Sequence, residues 1–81
     1  MTEQCLQVGK LYSYPNGRAV FFEPKGVAIS FTSCNEPFVL LDIFDDEFDT
    51  EWNRSYKILT SQGIIGWVII TNPALIVEIK Q

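Results

Sequence analysis

The stretch from Tyr56 to Ile70, YKILTSQGIIGWVII, decides the fold. It is rich in β-branched and aromatic residues and is interrupted at Gln62-Gly63, where Gly63 can adopt the left-handed conformation that a tight hairpin turn requires. The stretch is therefore predicted to form two antiparallel strands, residues 56–61 and 64–70, joined by that turn.

The same composition extends along the whole chain. Isoleucine, valine, threonine and the aromatic residues supply 31 of the 81 residues, whereas alanine supplies three, and no stretch keeps apolar residues at helical spacing for three turns. Turn residues delimit further apolar runs at 8–14, 18–22 continuing through 27–31, 38–44 and 75–79. Pro24-Lys25-Gly26 is interpreted as a bulge or bend within the second run.

These runs predict an all-β protein. Short strands with no helix to cover a sheet face are typical of a small, strongly bent barrel, here of five strands, with at most a short helical turn around residues 2–7. Length and the absence of a linker or repeat predict one domain over residues 1–81.

Two of the predicted strands are apolar at both alternating positions, namely 38–41 and 64–70. A strand with one face in water alternates between apolar and polar residues, so both faces of these strands should be covered. A second copy of the chain is the expected cover, which predicts a homo-oligomer; the alternative is a barrel bent tightly enough to bury both sides unaided. The residues expected in the interface or core are Ile65, Trp67, Ile69, Leu75 and Val77.

Composition argues against an enzyme. Histidine is absent, which excludes Ser-His and Cys-His nucleophiles and histidine-containing zinc sites, and a domain of this size leaves little area for an enclosed active site. Cys5 and Cys34 are too few for a disulfide framework or a tetrahedral metal site and are expected to be reduced. No catalytic residue, cofactor or metal site is predicted.

No apolar run approaches the roughly 20 residues of a membrane span, and the first residues lack the layout of a signal peptide. A cytoplasmic location without a membrane partner is therefore expected. A phage or bacterial source is expected for so short a chain.

Acidic residues are concentrated in one segment. Six of the ten lie between positions 42 and 51. Counting from Asp45, Thr50 and Tyr56 stand where a calcium-binding EF-hand loop needs glycine and glutamate, so a solvated loop is predicted, with a divalent-cation site as the open alternative. The remaining 71 residues carry six basic and four acidic side chains, a net charge of +2.

This excess of basic over acidic residues outside the acidic segment is compatible with a modestly basic face that includes Arg18, Lys25 and Lys57. Tyr12, Tyr14, Phe21 and Phe22 lie near the first two of these in sequence. Single-stranded nucleic acid binds such surfaces, because bases stack on aromatic rings and phosphates pair with arginine or lysine.

Several segments resemble the Src-homology-3-like small barrel. Residues 11–14, LYSY, are similar to its ALYDY strand, residues 28–31, AISF, to its ELSF stretch, and residues 72–79 to the ending that follows a one-turn 3₁₀ link. The resemblance implies a five-stranded barrel and, in many members, a groove for proline-rich peptides, lined here by Tyr12, Tyr14 and Trp52. Asn53 replaces the second tryptophan of that groove.

The carboxyl-terminal half also resembles the Sm-like barrel. Residues 68–72 followed by 75–79 are similar to the second Sm motif, with Thr71-Asn72 in place of Arg-Gly. This resemblance implies a ring built through edge strands, with Asn35, Thr71 and Asn72 facing the pore.

The sequence thus predicts a non-catalytic, homo-oligomeric Sm-like module that binds RNA or single-stranded DNA. The alternative is a Src-homology-3-like module that binds a protein or peptide. The residues expected to contact nucleic acid are Arg18, Lys25, Asn35, Lys57, Thr71 and Asn72.

Overall fold

The computed structural model describes residues 6–24, 26–45, 54–70 and 72–80. In these ranges the chain is all-β, as predicted: seven strands form one antiparallel sheet, and one 3₁₀ turn, Pro73–Leu75, precedes the last strand. The strands are β1 Leu11–Ser13, β2 Ala19–Phe21, β3 Ala28–Phe31, β4 Pro37–Asp45, β5 Arg54–Thr60, β6 Ile65–Ile69 and β7 Val77–Glu78.

The order of strands across the sheet is β3-β2-β6-β5-β4-β1-β7. Strands β4, β5 and β6 form a central meander, while β2 and β1 pair with its two sides. Strands β3 and β7 are the two edges, and within the described residues no pairing between them closes the sheet into a barrel.

The predicted hairpin at 56–70 is confirmed. Strands β5 and β6 pair from Ser55 opposite Ile69 to Leu59 opposite Ile65. Gly63 has a φ of 83°, and its N–H donates to the Thr60 carbonyl at 3.0 Å. The Thr60 hydroxyl oxygen also accepts the N–H of Ile64 at 3.1 Å, which holds the turn closed.

The interpretation of residues 24–26 as a bulge or bend inside one strand is wrong. The N–H of Phe22 donates to the Val27 carbonyl and that of Gly26 to the Glu23 carbonyl, both at 2.9 Å, so the chain reverses there. Strands β2 and β3 therefore pair as a hairpin, with Ala19 opposite Phe31. This extra hairpin contributes to the count of seven strands in place of five.

The hydrophobic core lies against one face of the sheet. From Tyr56 to the end of β5, and along β6, every second residue is buried, which places Tyr56, Ile58 and Val68 on the core side. An irregularity at Leu41 shifts the register of β4 and returns Ile43 to that side. The other buried apolar side chains are Tyr12, Tyr14, Val20, Phe38, Leu40, Ile70 and Ile76.

Gly66 allows β2 to approach β6 closely. It is buried on the core side, and a Cβ atom built on it would lie 2.5 Å from Cγ1 of Val20 and 2.7 Å from the carbonyl oxygen of Phe21. Contacts that short do not occur with a real side chain, so the junction of the two strands requires glycine at this position.

Some predictions concern residues outside the described ranges. The helical turn around residues 2–7 can be followed only at Leu6 and Gln7, which are not helical. The acidic segment 42–51 is described only as far as Asp45, and there it belongs to β4 and not to a loop. Among the described residues, no helix has the length and apolar character needed to cross a membrane.

Candidate functional site

The sheet face opposite the core, called the outer face below, is largely apolar. Strand register sets three rows of side chains across it. They are Ile69, Ser55 and Phe44; Phe21, Trp67, Lys57 and Asp42; and Ile65, Leu59, Val39 and Leu11. Eight of these eleven side chains are apolar, although the core is complete on the other side of the same strands.

Two aromatic rings meet on the outer face across β5. The ring centres of Phe44 and Trp67 are 6.2 Å apart, at an interplanar angle of 78°, an edge-to-face contact that contributes about 0.5–1.5 kcal/mol. Ser55 lies between the two strands that carry these rings and is 0% exposed. Its hydroxyl has no hydrogen-bond partner among the described residues.

The five residues predicted for the interface or core all lie outside the buried core cluster. Ile65 is 52% exposed on the outer face, and Trp67 and Ile69 are half-buried beside it. Leu75 and Val77 are exposed next to the β7 edge. The structure therefore brings three of the five together and separates them from the other two.

A further exposed apolar surface, which was not predicted from the sequence, lies at the β3 edge. Phe22, Val27, Ile29 and Phe31 are between 48% and 75% exposed there. Edge strands are usually protected by charged residues or proline, and β3, with the sequence AISF, has neither. The lack of charged residues in β3 is visible in the sequence. Its position at the edge of the sheet is not, because that depends on pairings with distant strands.

Arg18 is held at a pocket between the β1–β2 and β3–β4 loops. Its guanidinium carbon lies 5.3 Å from the centre of the Tyr14 ring, and Nη2 donates to the Tyr14 hydroxyl at 3.4 Å. Its backbone N–H donates to the Thr32 hydroxyl at 2.9 Å. The pocket is a small open depression lined by Tyr14, Arg18, Thr32, Ser33, Glu36, Phe38, Ile58, Val68 and Ile70.

Two of the residues predicted to contact nucleic acid, Arg18 and Asn35, lie at or beside this pocket. Asn35, with a φ of 61°, donates its N–H to the Tyr14 carbonyl at 2.8 Å. Asn72 is exposed at the start of the 3₁₀ turn, and no contact among the described residues places it at the pocket. Lys57 does not join them, because it lies on the outer face beside Asp42. Lys25 and Thr71 lie outside the described residues.

The predicted peptide groove is not formed by Tyr12 and Tyr14. Tyr12 is 2% exposed and its hydroxyl accepts the N–H of Gln7 at 2.8 Å, while Tyr14 is 4% exposed and covered by Arg18. Both rings belong to the core, so they do not offer an open aromatic surface. Trp52, the third residue of that groove, lies outside the described residues. Cys34 is a free, exposed thiol.

Glu36 ties the β3–β4 loop to the β5–β6 turn. Its carboxylate accepts the N–H of Ser33 at 2.9 Å and, through the other oxygen, the hydroxyl and N–H of Ser61 at 2.7 and 3.3 Å. The bonds from Ser33 and then Ser61 hold the pKa of Glu36 below its usual value of 4.5. The charged carboxylate is therefore the form that stabilises the fold at this end of the sheet.

Replacing Glu36 with glutamine should lower the free energy of unfolding by about 0.5–1 kcal/mol at pH 7, a modest loss because Glu36 is only partly buried and solvent screens its charge. A depressed folded-state pKa contributes stability above pH 4.5, and that stability is lost as pH falls through the folded value. Urea denaturation should therefore show a difference between variant and wild type that shrinks toward pH 3. A difference of equal size at both pH values would contradict the role given to the charge, and Glu78→Gln on the exposed β7 strand is the matched control.

The sequence matches no protein-family model, no curated protein and no solved structure. The outer face and the Arg18 pocket are therefore the features from which a function is inferred.

Proposed function

We propose that the protein is a non-catalytic β-module that associates with copies of itself and acts by binding. The observation that carries the proposal is the apolar outer face, where Ile65, Trp67 and Ile69 contact solvent in the single chain. Burial of such surface contributes roughly 25 cal/mol per Å², and contiguous apolar patches of this kind mark contact surfaces.

A small barrel of the Src-homology-3-like or Sm-like type is the proposed finer description of the fold. Support comes from the hydrophobic core on a single face of the antiparallel sheet and from the 3₁₀ turn at Pro73–Leu75 that leads into β7. In the ring that the Sm-like resemblance implies, the uncharged β3 edge of one copy would meet the short β7 edge of the next.

The absolute mass in solution tests self-association. Light scattering behind size exclusion should give a multiple of 9.2 kDa that persists on dilution. A mass of 9.2 kDa at every concentration would overturn the proposal. Conversion of Ile65 to glutamate should lower the associated fraction, whereas the same change at exposed Gln62 should not.

RNA or single-stranded DNA is the proposed ligand, contacted at the end of the sheet that carries the Arg18 pocket. The support is chemical: the Arg18 guanidinium group, 5.3 Å from the centre of the Tyr14 ring and near Asn35, can pair with a phosphate and hydrogen-bond a base. Because the whole chain has a formal charge of −4, binding of an anionic nucleic acid would depend on a local cation such as Arg18.

Removal of Arg18 should therefore weaken retention of a single-stranded oligonucleotide and reduce the salt dependence of binding by about one phosphate contact. Arg18→Ala is the test, Arg18→Lys should keep part of the affinity, and Lys10→Ala is a control for loss of an exposed charge elsewhere. Equal retention by all three variants, or no salt-dependent retention by the wild type, would contradict a nucleic-acid function.

The alternative function is binding of a protein or peptide. One observation favours it specifically: the uncharged, exposed β3 edge can accept an extended strand from a partner. A monomeric mass together with saturable binding of a proline-rich peptide, lost on substitution of Trp52, would support the Src-homology-3-like form of this alternative.

A further inference from the structure

On the outer face, side chains of β5 and β4 lie in complementary pairs across the boundary between the two strands. Along this boundary, called the seam below, Leu59 lies opposite Val39, Lys57 opposite Asp42 and Ser55 opposite Phe44. Lys57 and Asp42 have opposite charges. In the other two pairs a larger side chain lies beside a smaller one. The seam therefore has two sides that complement each other in charge and in part in size.

We infer that the seam is a two-fold contact between two copies of this chain, in which the outer faces pack together and the symmetry axis runs along the seam. This rests on the self-association proposed above. A two-fold axis lying between two facing sheets exchanges the two sides of the seam. Lys57 and Leu59 of β5 then face their register partners Asp42 and Val39 on the other copy.

Charge is the reason to assign the contact to a second copy. Asp42 and Lys57 are the charged members of the three rows and lie side by side near their centre. An unrelated partner would have to complement both charges, since burial of charge in an apolar contact is costly. A second copy related by this axis supplies both automatically, with Lys57 facing Asp42 of the other chain.

The flanking residues agree with this arrangement. Next to the seam, Ile65 pairs with Leu59 on one side and Leu11 with Val39 on the other, so the axis would place Ile65 of one copy over Leu11 of the other. Facing sheets pack about 10 Å apart, and their rotation of about 30° displaces the central pair least. The Lys57 and Asp42 contact is therefore the one least affected by sheet twist.

Charge reversal followed by mixing tests the inference with full-length chains. Lys57→Glu alone and Asp42→Lys alone place like charges opposite each other, so each should weaken self-association at least tenfold in sedimentation velocity. An equimolar mixture should recover wild-type association, because each chain then faces an opposite charge on its partner. Circular dichroism should show each variant folded, and Lys80→Glu serves as a control outside the outer face.

The mixture separates contacts between chains from contacts within a chain, because each variant keeps its own like-charged pair after mixing. A monomeric wild type would overturn the proposed function and this inference together. An oligomeric wild type that both reversals leave unchanged would overturn the inference alone and assign association to the β3 and β7 edges. Weakened variants that fail to recover on mixing would overturn the two-fold arrangement.

Discussion

Replacement of Ile58 with alanine should lower the free energy of unfolding by roughly 2–5 kcal/mol, a large share of the stability of a chain this short. Ile58 is 1% exposed on β5, the middle strand of the sheet, and its register partners are Leu40 and Gly66. Gly66 has no side chain to fill the cavity, so little relaxation is available. An 81-residue domain has only about 4–12 kcal/mol to lose, and urea denaturation should show a much lower midpoint.

The matched control is Ile65→Ala, the same change on the opposite face of the sheet. Ile65 is 52% exposed, so its truncation should cost less than about 1 kcal/mol of monomer stability while reducing self-association. Stability measured under dissociating dilution separates the two effects. Equal losses for both variants would show that the core does not lie on the face assigned to it.

Substitution of Gly66 with alanine should cost about 1–3 kcal/mol, and valine should cost more. The added Cβ would lie 2.5 Å from Val20 Cγ1 and 2.7 Å from the Phe21 carbonyl oxygen. The second contact is to backbone, so β2 would have to move away from β6. Thermal denaturation followed by circular dichroism measures the loss.

A double variant distinguishes the steric cause from a general loss at this position. Val20→Ala removes one of the two clashing atoms, so Gly66→Ala combined with Val20→Ala should be less destabilising than the sum of the single changes. Strict additivity, or a loss below about 0.3 kcal/mol for Gly66→Ala alone, would contradict the close approach of the two strands.

The parts of the fold that depend on nearby residues were predictable from sequence. The β5–β6 hairpin follows from Gly63 and from two strand-forming segments beside it, and the bonds from Gly63 and Ile64 to Thr60 that close its turn are local. The β2–β3 hairpin was misjudged because a turn and a bulge around Pro24 require similar residues. The local signals differ too little to distinguish the two.

The choice of core face could not be predicted for β6, because both alternating sets of residues are apolar. Val68 and Trp67 fit a buried position equally well by hydrophobicity. The close contact of Val20 with Gly66 decides the matter, since a strand can approach only where the side chain is missing. That contact joins residues far apart in the chain and leaves no periodic signal.

The same limit applies to the candidate sites. Arg18 was predicted from its proximity to aromatic residues, and it does lie on Tyr14 because only a short loop separates them. Lys57 was assigned to the same basic surface, but the direction of a strand residue depends on register, which places Lys57 on the outer face. A list of cations near aromatics therefore identifies local contacts better than it identifies a continuous surface.

The strand order also determines how the chain reaches its native state. The β4–β5–β6 meander joins neighbouring segments and can form early, whereas the pairing of Phe21 with Trp67 requires closure of a loop that spans more than half the chain. Until β2 arrives, the side of β6 that it will pair with has free backbone donors and acceptors. A β2 strand from another nascent chain can occupy that position at high concentration, so refolding should give domain-swapped species in increasing yield as the protein concentration rises.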